Sequence, residues 1–319
     1  MPALIAILGP TATGKSALGI AIAERFNGEI INCDSTAVYR GFDIGTDKVR
    51  FDERRGIPHH LIDIADPTDE YTAAHFARDA AAVIGDLHAK GKLPILVGGT
   101  GFYYRALTRG LFPGPGKDAE LRERLEGIAR KKGVETLHCM VKRVDPESGS
   151  RIQQRDLKRL VRALEVYFQT GKPLTAHFEN TVSPLGPGVA IGAIALTMPG
   201  PWLADRLAAR VDQQFEGGLL DEIRALLASG VPPGARPFGG LVYRQAMEHL
   251  RGVRDEASTR ALIAQENRKY ARRQLIWFRK EPNLVWFDGP GTHAEVQASV
   301  IRELAARDLL KDGRHVADT

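Results

Sequence analysis

The run Gly9-Pro10-Thr11-Ala12-Thr13-Gly14-Lys15-Ser16 constrains this chain more than any other stretch of it. It follows an apolar segment, residues 3–9, and precedes a segment, residues 15–26, whose apolar positions recur at helical spacing. The pattern GxxxxGK[ST] therefore stands where a strand gives way to a helix, its proper setting. In such a loop, successive backbone N–H groups and the positive end of the helix surround an oligophosphate. Gly9 to Ser16 form the candidate phosphate-binding set. Lys15 is expected to contact phosphate oxygens, and Ser16 to bind Mg²⁺, the expected cofactor.

The surrounding sequence extends this unit. Residues 29–34 and 93–97 read as further strands, and residues 72–90 as an alanine-rich helix stopped by Gly91. Strands alternating with helices predict an α/β fold of P-loop NTPase type, with a doubly wound parallel sheet. After Leu111 the breaker Phe112-Pro113-Gly114-Pro115-Gly116 introduces charged helical segments near 118–131 and 156–170, each opening on Asp and closing shortly before Gly. A second Pro/Gly-rich stretch, residues 183–188, ends them, and residues 189–196 look like a buried strand returning to the sheet. The expected organisation is a core in two parts, residues 1–115 and 189–319, around an inserted all-helical domain, residues 116–188. The second part is mostly helical, with a long helix near 256–280, a short strand at 284–287 and a final helix.

Charge refines the picture. The net charge of +5 favours a polyanionic partner only weakly, but its placement is uneven. From Lys117 to Lys172 there are 14 Lys or Arg against 9 Asp or Glu. Residues 265–280 hold Arg268, Lys269, Arg272, Arg273, Arg279 and Lys280 against Glu266 alone. The bland alternative is a pair of solvated helix faces. The longest apolar runs, Ala3 to Leu8 and Ala190 to Leu196, fall far short of the roughly 20 residues of a membrane span. The N-terminal residues carry no signal-like segment, so a cytoplasmic protein is expected. Cys33 and Cys139 are too few for a disulfide framework and lack any paired spacing for a thiolate metal site.

A phosphate loop by itself predicts an NTPase or a kinase, chemistry that needs a second acid closing an apolar strand. Pro94 to Val97 ends instead in Gly98-Gly99-Thr100. The acid appears after the second strand, as Asp34-Ser35. Ligands of open α/β sheets bind beyond the carboxyl ends of strands, so Lys15, Ser16, Asp34 and Thr100 are expected in one crevice. A carboxylate near a phosphate cradle, but outside it, suits a base acting on whatever attacks the phosphate-bearing molecule. Its alternatives are a helix cap or a group hydrogen-bonded behind the metal.

The stretches GPTATGKS, INCDSTAVYRGFDIGTDK (31–48), PHHLIDIADP (58–67), ILVGGTGFYYRAL (95–107), LKRLVRALEVY (157–167) and RRQLIWFRK (272–280) together resemble the tRNA dimethylallyltransferase family, in its order and over most of the chain. The resemblance implies transfer of a dimethylallyl group from dimethylallyl diphosphate to N6 of the adenosine at tRNA position 37, beside the anticodon, with Mg²⁺. It implies that Asp34 removes the amine proton, that Thr100 lies near the reacting centre, and that Gly9 to Ser16 and Arg210 meet the diphosphate. It also places Asp34, Ser35, Thr36, Ala37, Thr100, Arg122, Lys158, Arg159, Arg162, Tyr243 and Arg244 against the tRNA anticodon stem-loop. The protein is expected to act as a monomer. Lys158 and Arg162, four apart, share a helix face suited to phosphates or loop bases. Trp277 and Phe278 read as core rather than as stacking platforms. One departure stands out: Val242 replaces the glycine that the family carries before Tyr243, and the arginine expected shortly upstream is displaced, with Arg236 nearest. The rival readings are an adenylate (AMP) dimethylallyltransferase, a P-loop small-molecule kinase, and a noncatalytic RNA-binding module that uses the loop as a nucleotide switch.

Overall fold

A computed structural model of the chain describes residues 2–179 and 181–310. Strand β1 (Ala3–Leu8) has no exposed surface from Leu4 to Leu8, which requires neighbours at both edges and cover on both faces. The edges are filled by parallel strands. The chain runs from β1 through α1 (Lys15–Arg25), β2 (Gly28–Cys33), β3 (His59–His60), α2 (Ala73–Ala89) and β4 (Leu93–Gly98) to α3 (Gly101–Arg109). After the insert it continues through β5, residues Ala190–Thr197, and closes the sheet with β6, residues Val285–Asp288. Among the described residues the sheet has six strands, all parallel, in the order β3-β2-β4-β1-β5-β6. The two-residue β3 is not foreseen from the sequence, because so short a strand shows no alternation.

Contacts divide the chain into two compact units, residues 1–108 with 185–319, and residues 109–184. The expected insert limits, 116 and 188, compare with 109 and 184. This second unit contains α4 (Ala119–Lys132), α5 (Val134–Val144), α6 (Pro146–Arg151), α7 (Leu157–Thr170) and α8 (Leu174–Phe178), with no strand among the described residues. Its core gathers Leu125, Leu137, Val141, Leu160 and Leu164, the apolar stripe of each long helix. Asp118 and Asp156 accept the backbone N–H of Leu121 and Arg159, so they cap α4 and α7. Gly133 and Gly171, both at positive φ, stop the same two helices.

In the first unit, the C-terminal region adds α9 (Gly200–Glu216), α10 (Leu219–Ala228), α11 (Leu241–Leu250), α12 (Glu256–Phe278) and α13 (Ala294–Ala306). Trp277 lies against Gly101, where a Cβ would come within 2.2 Å of the indole, and the Arg105 guanidinium stacks 4.5 Å from its ring centroid. Phe278 is fully buried, whereas Trp277 is half-buried, one side of its indole covered by Gly101 and Arg105. No helix among the described residues is long and apolar enough to cross a membrane. The register pairs Cys33 with Gly98 and Ile7 with Val97. The residues that follow β1, β2 and β4 (Gly9, Asp34 and Gly99) therefore emerge side by side at one end of the sheet.

Candidate active site

The glycine loop takes its shape from backbone that only certain residues tolerate. Gly9 has φ +131°, and a Cβ there would lie 2.5 Å from the Leu196 carbonyl oxygen. Gly14, at φ +80°, starts α1 without a side-chain cap, so the first N–H groups of an 11-residue helix stay available to an anion. Inside the loop, the Thr13 hydroxyl and the Lys15 ammonium both donate to the Pro10 carbonyl, at 2.9 and 2.5 Å.

Lys15 is half-buried by area yet surrounded by protein. That desolvation, helped by the nearby Arg210 cation, pulls its ammonium down to about 7. Ser16 is exposed on the wall of the same cleft, and its hydroxyl has no hydrogen-bond partner among the described residues. Mg²⁺ typically takes one or two protein oxygens and draws the rest from phosphate and water, so a single free hydroxyl beside a phosphate cradle fits it. No group of three or more His, Cys, Asp or Glu among the described residues could hold a metal instead.

The cleft encloses about 670 Å³ and is lined by Thr11, Lys15, Ser16, Asp34 to Ala37, Gly99 and Arg210 among others. Asp34 follows β2 directly and is held on one side only. Its Oδ1 accepts from the Thr36 N–H at 2.8 Å, the Thr36 hydroxyl at 2.6 Å and the Ala37 N–H at 3.2 Å. Its Oδ2 accepts no hydrogen bond among the described residues. The neighbouring Ser35 N–H donates to the Thr100 hydroxyl at 3.2 Å, and the Thr100 N–H to the Cys33 carbonyl at 3.2 Å. Thr100 thus fastens the turn that carries Asp34. Burial, with the Asp34 charge next, pushes the adjoining Cys33 thiol well above its ordinary range, so it stays protonated and inert.

From α9, the Arg210 Nη1 donates to the Thr11 hydroxyl at 2.7 Å, while its Nε sits 2.5 Å from Asp47. Arg206 donates to the Ala12 carbonyl at 2.9 Å. The structure therefore brings Gly9 to Ser16, Asp34 to Ala37, Thr100 and Arg210 together at one end of the sheet. Tyr243 reaches the cleft wall but is 1% exposed. Its hydroxyl donates to Glu222 at 2.6 Å and accepts from the Gly45 N–H at 3.0 Å. It clasps the turn around Gly45, where any Cβ would strike its ring. Val242 is buried beside it. Arg244 is exposed and lines a separate recess of about 320 Å³ with Arg236 and Arg251. Arg122, Lys158, Arg159 and Arg162 belong to the helical unit. Arg122 and Arg162 both bind the buried Glu165 carboxylate there.

The profile of the IPP transferase family matches residues 37–281. The tRNA dimethylallyltransferase of Solibacter usitatus (strain Ellin6076) is 46% identical over 306 residues, which cover 95% of this chain and 98% of that protein. The chain belongs to the IPP transferase family. The solved tRNA isopentenylpyrophosphate transferase of Bacillus halodurans is similar over 97% of each chain, at 35% identity and a TM-score of 0.70. A eukaryotic dimethylallyltransferase solved acting on tRNA is similar over 98% of this chain and 82% of its own, at 26% identity and a TM-score of 0.77.

Sequence reasoning misses one residue of this IPP transferase that ties the site together. Gln274, buried on α12, accepts the Thr11 N–H at 3.0 Å and donates to the Gly99 carbonyl at 2.9 Å. A single amide thus joins the glycine loop to the turn after β4. The signal lies in RRQLIWFRK, where the charges draw the eye away from its one neutral polar residue. Asp47, in the DIGTDK stretch, and Glu222 also gain their roles only through distant partners.

Proposed function

We propose that this IPP transferase moves a dimethylallyl group from dimethylallyl diphosphate to N6 of the adenosine at tRNA position 37, forming N6-dimethylallyladenosine and releasing diphosphate. The carrying observation is the half-anchored Asp34 carboxylate, with three donors on Oδ1 and none on Oδ2, in one cleft with Lys15 and the glycine loop.

In this reading the C1–O bond of the allylic diphosphate breaks as N6 bonds to C1. The departing diphosphate gathers negative charge against the start of α1, Lys15 and Arg210. Ser16 would hold Mg²⁺, which adds positive charge at those oxygens. The adenine amine is a weak nucleophile because its lone pair is delocalised, but its proton becomes acidic as the new bond forms. Asp34 Oδ2 accepts that proton, while the bonds on Oδ1 fix the carboxylate in place. Thr100 keeps the Asp34 turn in register. The adenine must leave its stack to reach the cleft, and a single-stranded loop makes that cheapest. The basic helical insert supplies the RNA-facing surface, and the protein acts in the cytoplasm as a monomer. Phosphoryl transfer is a poorer reading, because β4 closes on Gly98, with Gly99 next, where an acid would be needed.

Incubating the protein with dimethylallyl diphosphate, Mg²⁺ and unmodified tRNA, followed by mass spectrometry of the nucleosides, tests the proposal. One C5H8 unit should appear on the adenosine at position 37. Prenylation of free AMP with the tRNA left untouched would overturn it in favour of the adenylate dimethylallyltransferase.

A further inference from the structure

Of the three insert arginines that the family resemblance sets against RNA, Arg122 and Arg162 are not loose surface cations. Glu165, on α7, has no exposed surface. Its Oε1 accepts from the Asp118 N–H at 2.9 Å and the Arg122 Nε at 2.7 Å. Its Oε2 accepts from the Arg122 Nη2 and the Arg162 Nη1, both at 2.7 Å. Arg162 is fixed further by donation to the Pro115 carbonyl at 3.0 Å and by its position over the Phe112 ring. Burial alone would push the Glu165 carboxyl up, but the Arg122, Asp118 and Arg162 donors outweigh it and hold it at about 2.

One carboxylate so placed carries two cations, and the group keeps a net positive charge. Each guanidinium spends two of its five N–H donors inside the cluster and keeps three. Their side chains remain 30% and 31% exposed. A buried ion pair is a poor device for stability alone, since apolar residues of the same volume pack a helix junction as well or better. It is a good device for fixing where two charges stand. Lys158 and Arg159 differ: both are exposed, Lys158 has no ion-pair partner among the described residues, and Arg159 has only Asp156 at 3.4 Å.

We propose that Glu165 is a positioning residue for RNA binding, holding Arg122 and Arg162 as a paired guanidinium clamp for one backbone phosphate. Phosphate is the ligand such a pair suits, because guanidinium donors match its oxygens two at a time. The proposal rests on the tRNA reading of the previous subsection.

Glu165→Gln decides between charge and placement. The substitution keeps the shape and makes the insert one unit more positive. Charge alone would then tighten RNA binding and steepen its salt dependence. Placement predicts the reverse. The tRNA KM should rise about tenfold, and the slope of log K against log salt should flatten by about 0.7, the amount expected when one phosphate of a single strand is no longer neutralised. The KM for dimethylallyl diphosphate should not move. Tighter or unchanged tRNA binding by this variant would overturn the proposal.

Should Glu165→Gln unfold the insert, Arg122→Lys with Arg162→Lys provides the second test. It keeps both charges and removes the planar forks, so it should lose tRNA affinity, whereas wild-type affinity would overturn the clamp. A wild-type protein that neither binds nor prenylates tRNA would instead bring down the underlying functional reading.

Discussion

In the proposed roles, the glycine loop and the Glu165 cluster both hold positive potential for phosphate, and they do so by opposite means. In the loop the donors are backbone N–H groups, fixed by Gly9 and Gly14 at dihedral angles other residues avoid. In the helical insert the donors are long side chains, fixed by a carboxylate that has itself been taken out of water. Backbone placement costs no side-chain entropy and suits a site where charge develops during reaction. Side-chain placement leaves part of each guanidinium in solvent and suits a partner that must arrive and leave.

The comparison breaks most visibly at the proton acceptor. Asp34→Asn removes the proposed base but can keep the bonds to Oδ1, so single-turnover prenyl transfer should fall by about a thousandfold while tRNA affinity changes little. A retained rate in rapid-quench measurements would remove Asp34 from that role. Gln274→Leu attacks the loop side. It leaves the Thr11 N–H and the Gly99 carbonyl unpaired, at a cost of about 1–3 kcal/mol. Steady-state kinetics should show the KM for dimethylallyl diphosphate rising by about tenfold or more, and the KM for tRNA moving less.

A smaller effect comes from Lys15. Its ammonium titrates at about 7 in the free site, so above that pH an arriving diphosphate must draw in a proton. Affinity for dimethylallyl diphosphate should therefore weaken as pH rises past about 7, by at most about tenfold per pH unit, and calorimetry in buffers of different ionisation heat should detect proton uptake. Affinity that is insensitive to pH on both sides of that value would show a lysine charged throughout. The smallest effect is expected at Lys158→Ala, which removes a loose cation and should flatten the tRNA salt slope by about 0.7 with little change in turnover. A larger loss than that of Glu165→Gln would reverse the ranking of fixed over mobile charge.

Much of the α/β unit is legible along the chain because its signals are local. The loop GPTATGKS announces a strand before it and a helix after it, and the capping aspartates of α4 and α7 mark their own helices. Asp34 is legible because it stands just past a strand end. What escapes sequence reasoning is long-range pairing. Gln274 reaches Thr11 across 263 positions, and Tyr243 reaches Gly45 across 198. Nothing in the neighbourhood of either residue encodes its partner. Glu165 is a further case: within LKRLVRALEVY it looks like one more helix charge, and only the fold shows that its position has no access to water. For Arg162, helical spacing gives the face but not the carboxylate that occupies it.

The outer strands of the sheet have a consequence beyond catalysis. β3 offers two residues and β6 four, so either border presents very few unpaired N–H and C=O groups to a foreign strand. A parallel sheet forms slowly and exposes its borders while it does so. Outermost strands this brief give a stray chain little to zip onto, and so guard the newly made protein against polymerising through its own hydrogen-bond ladder.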